Sequence, residues 1–218
     1  MSDTTLSFLS SLPLFQGIAP DALPKVLQAL SAHQVSYQKG EYLLHNQDIV
    51  AAAGLVLQGK VLVLREDFWG NRAILTQISA GYLFGETYAM LHLPAEVSVE
   101  AAEDTTVLYL NLQTLLTTQE PALITISHRL MQSFARRNLT LTRKIAHVTC
   151  RTTREKLLSY LSAQANDAKD AVFSIPFNRQ QLADYLAVER SAMCAELSRM
   201  KQDGLLDYHK NHFRLFLQ

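Results

Sequence analysis

Pro121-Ala-Leu-Ile-Thr-Ile-Ser-His-Arg-Leu-Met-Gln-Ser-Phe-Ala-Arg-Arg-Asn-Leu-Thr-Leu-Thr-Arg-Lys-Ile-Ala-His-Val148 is the stretch that decides the fold. Its apolar residues recur every seven positions. Ile124, Met131 and Ile145 share one heptad position with Asn138, and Ser127, Phe134, Leu141 and Val148 share the other, three residues on. With no Gly, and no Pro after Pro121, the stretch reads as a helix roughly 40 Å long at ~1.5 Å per residue. A seam that narrow usually meets its own copy in a second chain, and a single Asn at a seam position pairs best with the same Asn of a parallel, in-register twin. The seam of this expected homodimer is Ile124, Met131, Phe134, Asn138, Leu141 and Ile145. The competing interpretation is an ordinary core helix of a monomer. Leu123 and Leu130 flank the seam, so part of the helix is expected to lie on its own subunit.

The composition bounds what the rest can be. At 218 residues, 48% hydrophobic and 18% charged, the chain is globular and long enough for two modest domains, each with a core. No apolar run approaches the ~18 residues of a membrane span. The start, MSDTTLSFLSSLPLF, lacks the basic stretch and cleavage site of a signal peptide, which sets the expectation of a soluble cytoplasmic protein. Two cysteines, Cys150 and Cys194, make neither a disulfide framework nor a metal set. The net charge of zero hides an asymmetry: residues 1–120 carry 5 Lys/Arg against 12 Asp/Glu, 121–147 carry 5 against 0, and 148–218 carry 10 against 8. An acidic front and a basic rear point weakly to nucleic acid at the C-terminal end.

Before the long helix the chain turns from helical to β. Leu6–Leu14 and Pro20–Ala32 read as short helices, and from Val35 the apolar period becomes two. Strand-like runs follow at Tyr42–His45, Ala53–Leu57, Lys60–Arg65 and Arg72–Ile78, with a polar tip at 67–71. Two more lie at Val97–Ala101 and Val107–Leu110. Glycines at 40, 59, 70 and 81 punctuate them at nearly even spacing, the mark of an antiparallel barrel or jelly roll. Phe84-Gly85-Glu86-Thr87 breaks that rhythm. Gly85 permits a tight turn and Glu86 falls in the first turn of a short helix, either an anion-holding helix start or a simple barrel-closing corner.

After a polar hinge at Thr149–Thr153, Arg154–Ala165 reads as a helix and Val172–Ile175 as a short strand. Asn178 suits an N-cap with Gln181 as its capping-box partner, and Leu182, Ala183 and Leu186 form a buried face. A second helix, Arg190–Gln202, buries Met193, Leu197 and Met200. Gly204 ends it, and a hairpin with its tip at Tyr208–His212 returns through Phe213–Leu217. Helix, short turn, helix and β-wing make a winged helix-turn-helix. No Gly-rich phosphate loop, nucleophile elbow or metal cluster is present, so an enzyme is not expected.

These residues resemble the cyclic-AMP receptor protein / fumarate-nitrate reduction regulator (CRP/FNR) family of bacterial transcription regulators. Asn178-Arg-Gln-Gln-Leu-Ala-Asp-Tyr-Leu186 resembles the first helix of the family's DNA-binding motif. Glu189-Arg-Ser-Ala-Met193 through Leu197-Ser-Arg-Met200 resembles its recognition helix. Phe84-Gly-Glu86 and Val97-Ser-Val-Glu-Ala-Ala-Glu-Asp104 resemble its barrel. The resemblance implies an α+β chain in three parts: a cyclic-nucleotide-binding-like sensory barrel over 1–112, a dimerisation helix over 113–148 and a winged helix-turn-helix over 149–218. It implies a homodimer on a palindromic double-stranded DNA operator, contact with RNA polymerase, and a small effector of unknown identity. The implied effector pocket comprises Phe84, Gly85, Glu86, Thr87, Ala95, Glu96 and Val97, with Phe134 and Asn138 from the long helix.

Departures from the family pattern narrow the expectation. Cyclic-AMP binders of the family carry an Arg-Ser pair that holds the cyclic phosphate; the matching positions here are about Ala95 and Glu96. A methyl in place of a guanidinium, beside a carboxylate, removes the bidentate partner and adds repulsion, so cyclic AMP is not the expected effector. Iron–sulfur members need cysteines in or near the sensory domain, and none precedes Cys150, so no such cluster is expected. His33, His45 and His92 keep a haem-, gas- or redox-sensing member as the alternative, although a lone surface His is more often plain. Arg190 matches the family's first base-reading Arg, with a guanine edge as its implied target. Ser191 and Ala195 replace a common Glu and a second Arg, so the operator should differ from the family's best-known half-site. Arg179, Gln180, His209 and Lys210 are expected to contact phosphates. Cys194 lies near the DNA-facing side; a packed, inert thiol is the expectation and a redox-sensitive one the alternative.

Overall fold

The computed structural model describes residues 3–66 and 72–216, so the tip at 67–71 and Leu217 lie outside the described residues. The chain forms two compact units, 1–132 and 133–218. Their divide falls inside one continuous helix.

The first unit opens with α1 (Asp3–Ser11), a 3-10 turn at Pro13–Phe15 and α2 (Leu23–Ala29). α2 begins three residues later than the sequence pattern indicated, because Pro24 occupies its first turn, where a missing N–H costs nothing. Eight strands follow: β1 (His33–Tyr37), β2 (Tyr42–Leu44), β3 (Ala53–Gln58), β4 (Lys60–Glu66), β5 (Arg72–Ser79), β6 (Leu83–Phe84), β7 (Ser98–Ala101) and β8 (Thr105–Leu110). They pair antiparallel in two four-stranded sheets, ordered β1-β8-β3-β6 and β2-β7-β4-β5, as a jelly roll requires. Val56, Val61, Phe84, Val99 and Val107 form the core between them. The Phe84 ring closes over Gly54, where an added Cβ would sit 2.1 Å from the ring's Cζ. Between β6 and β7, Gly85 in the left-handed region (φ 68°) starts the short helix α3 (Glu86–Leu91). Gln113 completes its other end, donating to the carbonyls of Ala89 (2.9 Å) and Met90 (2.8 Å).

Helix α4 (Pro121–Val148) runs unbroken for 28 residues. Its buried stripe, Leu123, Ile126 and Leu130, packs on its own chain as Leu123 and Leu130 foretold. The heptad seam is bare: Ile124 is 36% exposed, Met131 56%, Leu141 59% and Ile145 59%, with Phe134 half-buried. At about 100° per residue the two stripes lie roughly 80° apart on the helix.

The second unit adds α5 (Thr153–Ala168), β9 (Val172–Ser174), α6 (Arg179–Leu186), α7 (Arg190–Gln202), β10 (Leu206–His209) and β11 (His212–Leu215). Its core joins Leu157, Tyr160 and Leu161 of α5 to Leu182, Leu186, Met193, Leu197, Met200 and Phe213. β9 pairs with β11, giving a three-stranded sheet ordered β10-β11-β9. The wing's turn is shorter than the sequence indicated. Tyr208, His209 and His212 are strand residues, and only Lys210 (φ 55°) and Asn211 make the tip.

The two faces of α4 make opposite demands on substitution. Ile126→Ala should cost ~2–5 kcal/mol, the usual cost of an emptied core position. Leu139→Ala, at an exposed position off the seam, should stay within about 0.5 kcal/mol. Urea unfolding of both variants checks this; equal losses would show the face assignment to be wrong.

Candidate nucleic-acid interface and sensory barrel

In the second unit, Asn178 caps α6 with a reciprocal Gln181 contact, leaving Arg179 and Gln180 in the first turn. Gln180 is turned along its own helix, donating to Asp184 Oδ1 at 2.8 Å. Arg179 is half-buried, its guanidinium 4.7 Å from the Tyr208 ring centre and 5.3 Å from that of Phe213. It therefore ties α6 to the wing by cation–π contact, a role its sequence position did not reveal. Lys201 flanks the same Tyr208 at 5.7 Å and pairs with Asp207 at 2.5 Å.

Glu189 is the N-cap of α7. Its carboxylate accepts from the Ala192 amide (2.7 Å) and from the Ser191 hydroxyl, and these bonds hold its pKa down to about 2. The Ser191 hydroxyl is thus directed at its own helix. Arg190 and Ala195 are exposed. Ser191, Ala195, Ser198 and Gln202 recur at intervals of four, three and four, all exposed, and line the face of α7 turned from the core. Ser198 and Gln202 were missed from sequence, although the same spacing rule would have found them. In the wing His209 and Lys210 are exposed. Asn211 is held by mutual bonds with Ile175, at 3.1 Å through its side chain and 2.9 Å through its carbonyl. Cys194 is half-buried against the core, as expected of a packed thiol.

The end of α4 is anchored inside this unit. His147 is buried, with Nδ1 2.8 Å from Ser159 Oγ and its ring against Tyr160 (5.7 Å) and Tyr185 (6.3 Å). Lys144 lies over Tyr185 at 5.4 Å, and Arg143 pairs with Asp167 at 2.9 Å. Burial lowers the His147 pKa, and the nearby Arg143 charge lowers it further. Burial pushes Tyr160 up to about 12. The hinge shortens to 149–152, because Thr152 and Glu155 close a capping box on α5.

In the first unit, Phe84, Glu86 and Ala95 are buried, Val97 is half-buried, and Thr87 and Glu96 are exposed. The backbone of Ala95 is bonded on both sides, its N–H to Asp48 O (2.8 Å) and its carbonyl to Gln47 N–H (2.7 Å). Phe134 and Asn138, also expected at the pocket, belong to the second unit. The barrel further holds a hydroxyl pair that the sequence did not disclose, Tyr37 and Tyr109 at 2.8 Å, with burial and the shared bond raising the pKa of Tyr109. His33 stacks on Tyr109 and His45 on Tyr42. Among the described residues no group of three or more His, Cys, Asp and Glu is placed to hold a metal ion, and no helix is long and apolar enough to cross a membrane.

Comparison with known proteins matches both units. The family model of the cyclic nucleotide-binding domain matches residues 34–120, and that of the Crp-like helix-turn-helix domain matches 155–216. The chain belongs to the CRP/FNR family. A stretch of 98 residues is 32% identical to a cyclic AMP receptor protein of Thermus thermophilus, spanning 45% of this chain and 44% of that relative. The Thermus thermophilus catabolite activator protein shares the fold, with a TM-score of 0.50 and 24% identity over 94% of this chain and 93% of that one. DNR from Pseudomonas aeruginosa does so with a TM-score of 0.52 and 19% identity over 100% and 96%. Both family models leave α4 unmatched. The helix that joins the two domains of this CRP/FNR member is thus known here from its own residues.

His147 gives that joint a pH dependence. Its folded-state pKa lies below the ordinary value of about 6.5, so the unfolded chain takes up the proton first. Stability should be full above that value and fall as the pH drops through it. Unfolding curves between pH 8 and 5.5 should show this loss in the unmodified chain and a flatter profile in His147→Gln. Equal profiles would remove His147 from the account.

Proposed function

We propose that the chain is a homodimeric transcription regulator that binds a two-fold symmetric DNA operator and answers to a small effector in its barrel. The observation that carries this is the exposed face of α7, with Arg190 at its start and Lys210 in the adjoining wing, within the segment matched as a Crp-like helix-turn-helix. A recognition helix reads bases from its N-terminal residues, and long basic side chains in a wing meet the backbone. Dimerisation is supported by the bare seam of α4, whose Ile124, Met131, Leu141 and Ile145 leave apolar surface that a twin helix would cover.

For the effector, buried Ala95 and exposed Glu96 favour a ligand other than cyclic AMP, because nothing at those positions can grip a cyclic phosphate. The curated relative is named for cyclic AMP, whereas CprK, a fold neighbour with a TM-score of 0.55, was solved with OCPA bound. The pocket we assign uses Phe84, Gly85, Glu86, Thr87 and Val97 of the first unit.

Two measurements test this. In sedimentation at micromolar concentration the chain should be a dimer, and Phe134→Glu, which sets a charge against its own twin, should split it; a monomeric unmodified chain would sink the dimer. In binding titrations at several salt concentrations, Arg190→Ala should cost ~1–3 kcal/mol per half-site and relax selectivity at one base pair. Lys210→Ala should weaken operator and scrambled DNA alike and lower the salt slope by about one. The reverse pattern exchanges the roles, and no change in either variant rejects the docking.

A further inference from the structure

Two basic side chains in the first turn of α5 hold both helices of the DNA-binding motif. Arg154 Nε donates to Glu196 Oε1 at 2.5 Å, and another nitrogen of the same guanidinium donates to Asp203 Oδ2 at 2.5 Å. Glu196 lies on α7 and Asp203 is its C-cap, seven residues on, so one planar fork spans the last two turns of the recognition helix. Arg199 donates a further bond to Glu196 at 3.0 Å. Lys156 Nζ donates to the carbonyls of Leu186 (3.2 Å) and Ala187 (3.3 Å), where α6 ends and the turn into α7 begins.

Helix electrostatics explain these contacts. The last carbonyls of a helix lack partners within it, and its C-terminal end carries partial negative charge. Lys156 supplies donors to that end of α6. Asp203 puts a carboxylate at the same unfavourable end of α7, and Arg154 neutralises it. At about 100° per residue, Glu196 and Asp203 lie roughly 120° around α7 from the exposed row of Ser191, Ala195, Ser198 and Gln202. Arg154 therefore grips the recognition helix by its flank, away from the surface that would meet bases.

We propose that Arg154 is a positioning residue for DNA recognition: it fixes the tilt and rotation of α7, with Lys156 holding the turn before it, and so sets operator selectivity without touching DNA. This rests on the DNA-binding function proposed above. The length of α7 makes the effect large. About 20 Å of helix separates Arg190 from its C-terminal end at ~1.5 Å per residue, so a tilt of about 10° about that end displaces Arg190 by roughly 3 Å. A bidentate base contact does not survive such a shift, whereas a flexible lysine follows a phosphate across it.

The test uses the full chain, with an operator selected by the unmodified protein from random duplex DNA. Arg154→Met, Arg154→Lys and Lys156→Met are titrated against operator and scrambled duplex at several salt concentrations, with thermal unfolding of each variant. Arg154→Met should lower the operator-to-scrambled affinity ratio tenfold or more, with scrambled-DNA affinity and salt slope unchanged. Arg154→Lys, which keeps the charge and loses the fork, should show a smaller loss of the same kind, and decides the matter if the Met variant does not fold. Adding Glu196→Gln and Asp203→Asn to Arg154→Met should cost little more. An unchanged ratio overturns the proposal. So does equal weakening on both DNAs with the salt slope lowered by about one, which would make Arg154 a phosphate contact. If the unmodified chain enriches no sequence, the DNA-binding function fails and the proposal with it, whereas an enriched operator still fully discriminated by the variants sinks the proposal alone.

Discussion

Helix α4 carries two apolar stripes, and its own chain covers only one of them. Leu123, Ile126 and Leu130 are covered by its own first unit, while the seam that begins at Ile124 stays exposed. Both stripes follow the same spacing of three and four residues. A seven-residue repeat drifts by about 20° per heptad on a straight helix, so a seam held through four heptads faces one partner only if the helices wind left-handed around each other. The buried stripe ends at Leu130, one residue pair short of the divide between the units. Beyond it only His147 on this helix is buried. The middle of α4 is therefore uncommitted to its own chain, which is where a second copy has most to add.

Charge placed against helix polarity orients the helices of the second unit on their apolar core. Glu189 stands at the positive end of α7, Lys156 at the negative end of α6, and Arg154 beside the carboxylate that closes α7. Each is exposed or half-exposed, so as a simple pair each is worth little. Their effect is geometric, because they fix how three helices and a wing lie on a small core. Arg179 belongs to the same set. Its cation is spent on Tyr208 and Phe213, joining the start of α6 to the wing that follows α7.

The architecture was legible wherever local rules and tertiary packing agree. The unbroken helix over Pro121–Val148, the Asn178–Gln181 capping box and the buried faces of α6 and α7 all follow from periodicity and caps, and the structure has them at those residues. The wing's tip was overestimated because Tyr208 and His209 are polar enough to resemble a turn, while their strand pairing is set by β11. For the candidate site the sequence named residues but not where their side chains turn. Arg179 and Gln180 were expected to contact phosphates, yet one is stacked on the wing and the other bonded along its helix. Arg154, Lys156 and Glu196 are scattered over more than forty residues, and no spacing rule joins partners that only the packing of α5 on α7 brings together.

The same distinction bears on the barrel. A buried arginine is a coupling device in itself, because a guanidinium out of water without a partner is costly, and an anionic ligand relieves that cost. A chain with arginine at that place is poised to change when an anion arrives. Here Ala95 is fully buried and its backbone is satisfied on both sides by Gln47 and Asp48, so this segment is complete without a ligand. An effector that moves such a barrel must bind one arrangement better than another through some other group. Among the described residues, its side chains with buried or half-buried polar atoms include Glu86, Ser98, Thr105 and the bonded hydroxyls of Tyr37 and Tyr109. Because burial and the bond to Tyr37 hold the Tyr109 proton tightly, that hydroxyl offers a hydrogen-bond donor and not a phenolate charge. A differential contact made through that hydroxyl would then rest on hydrogen bonding and shape.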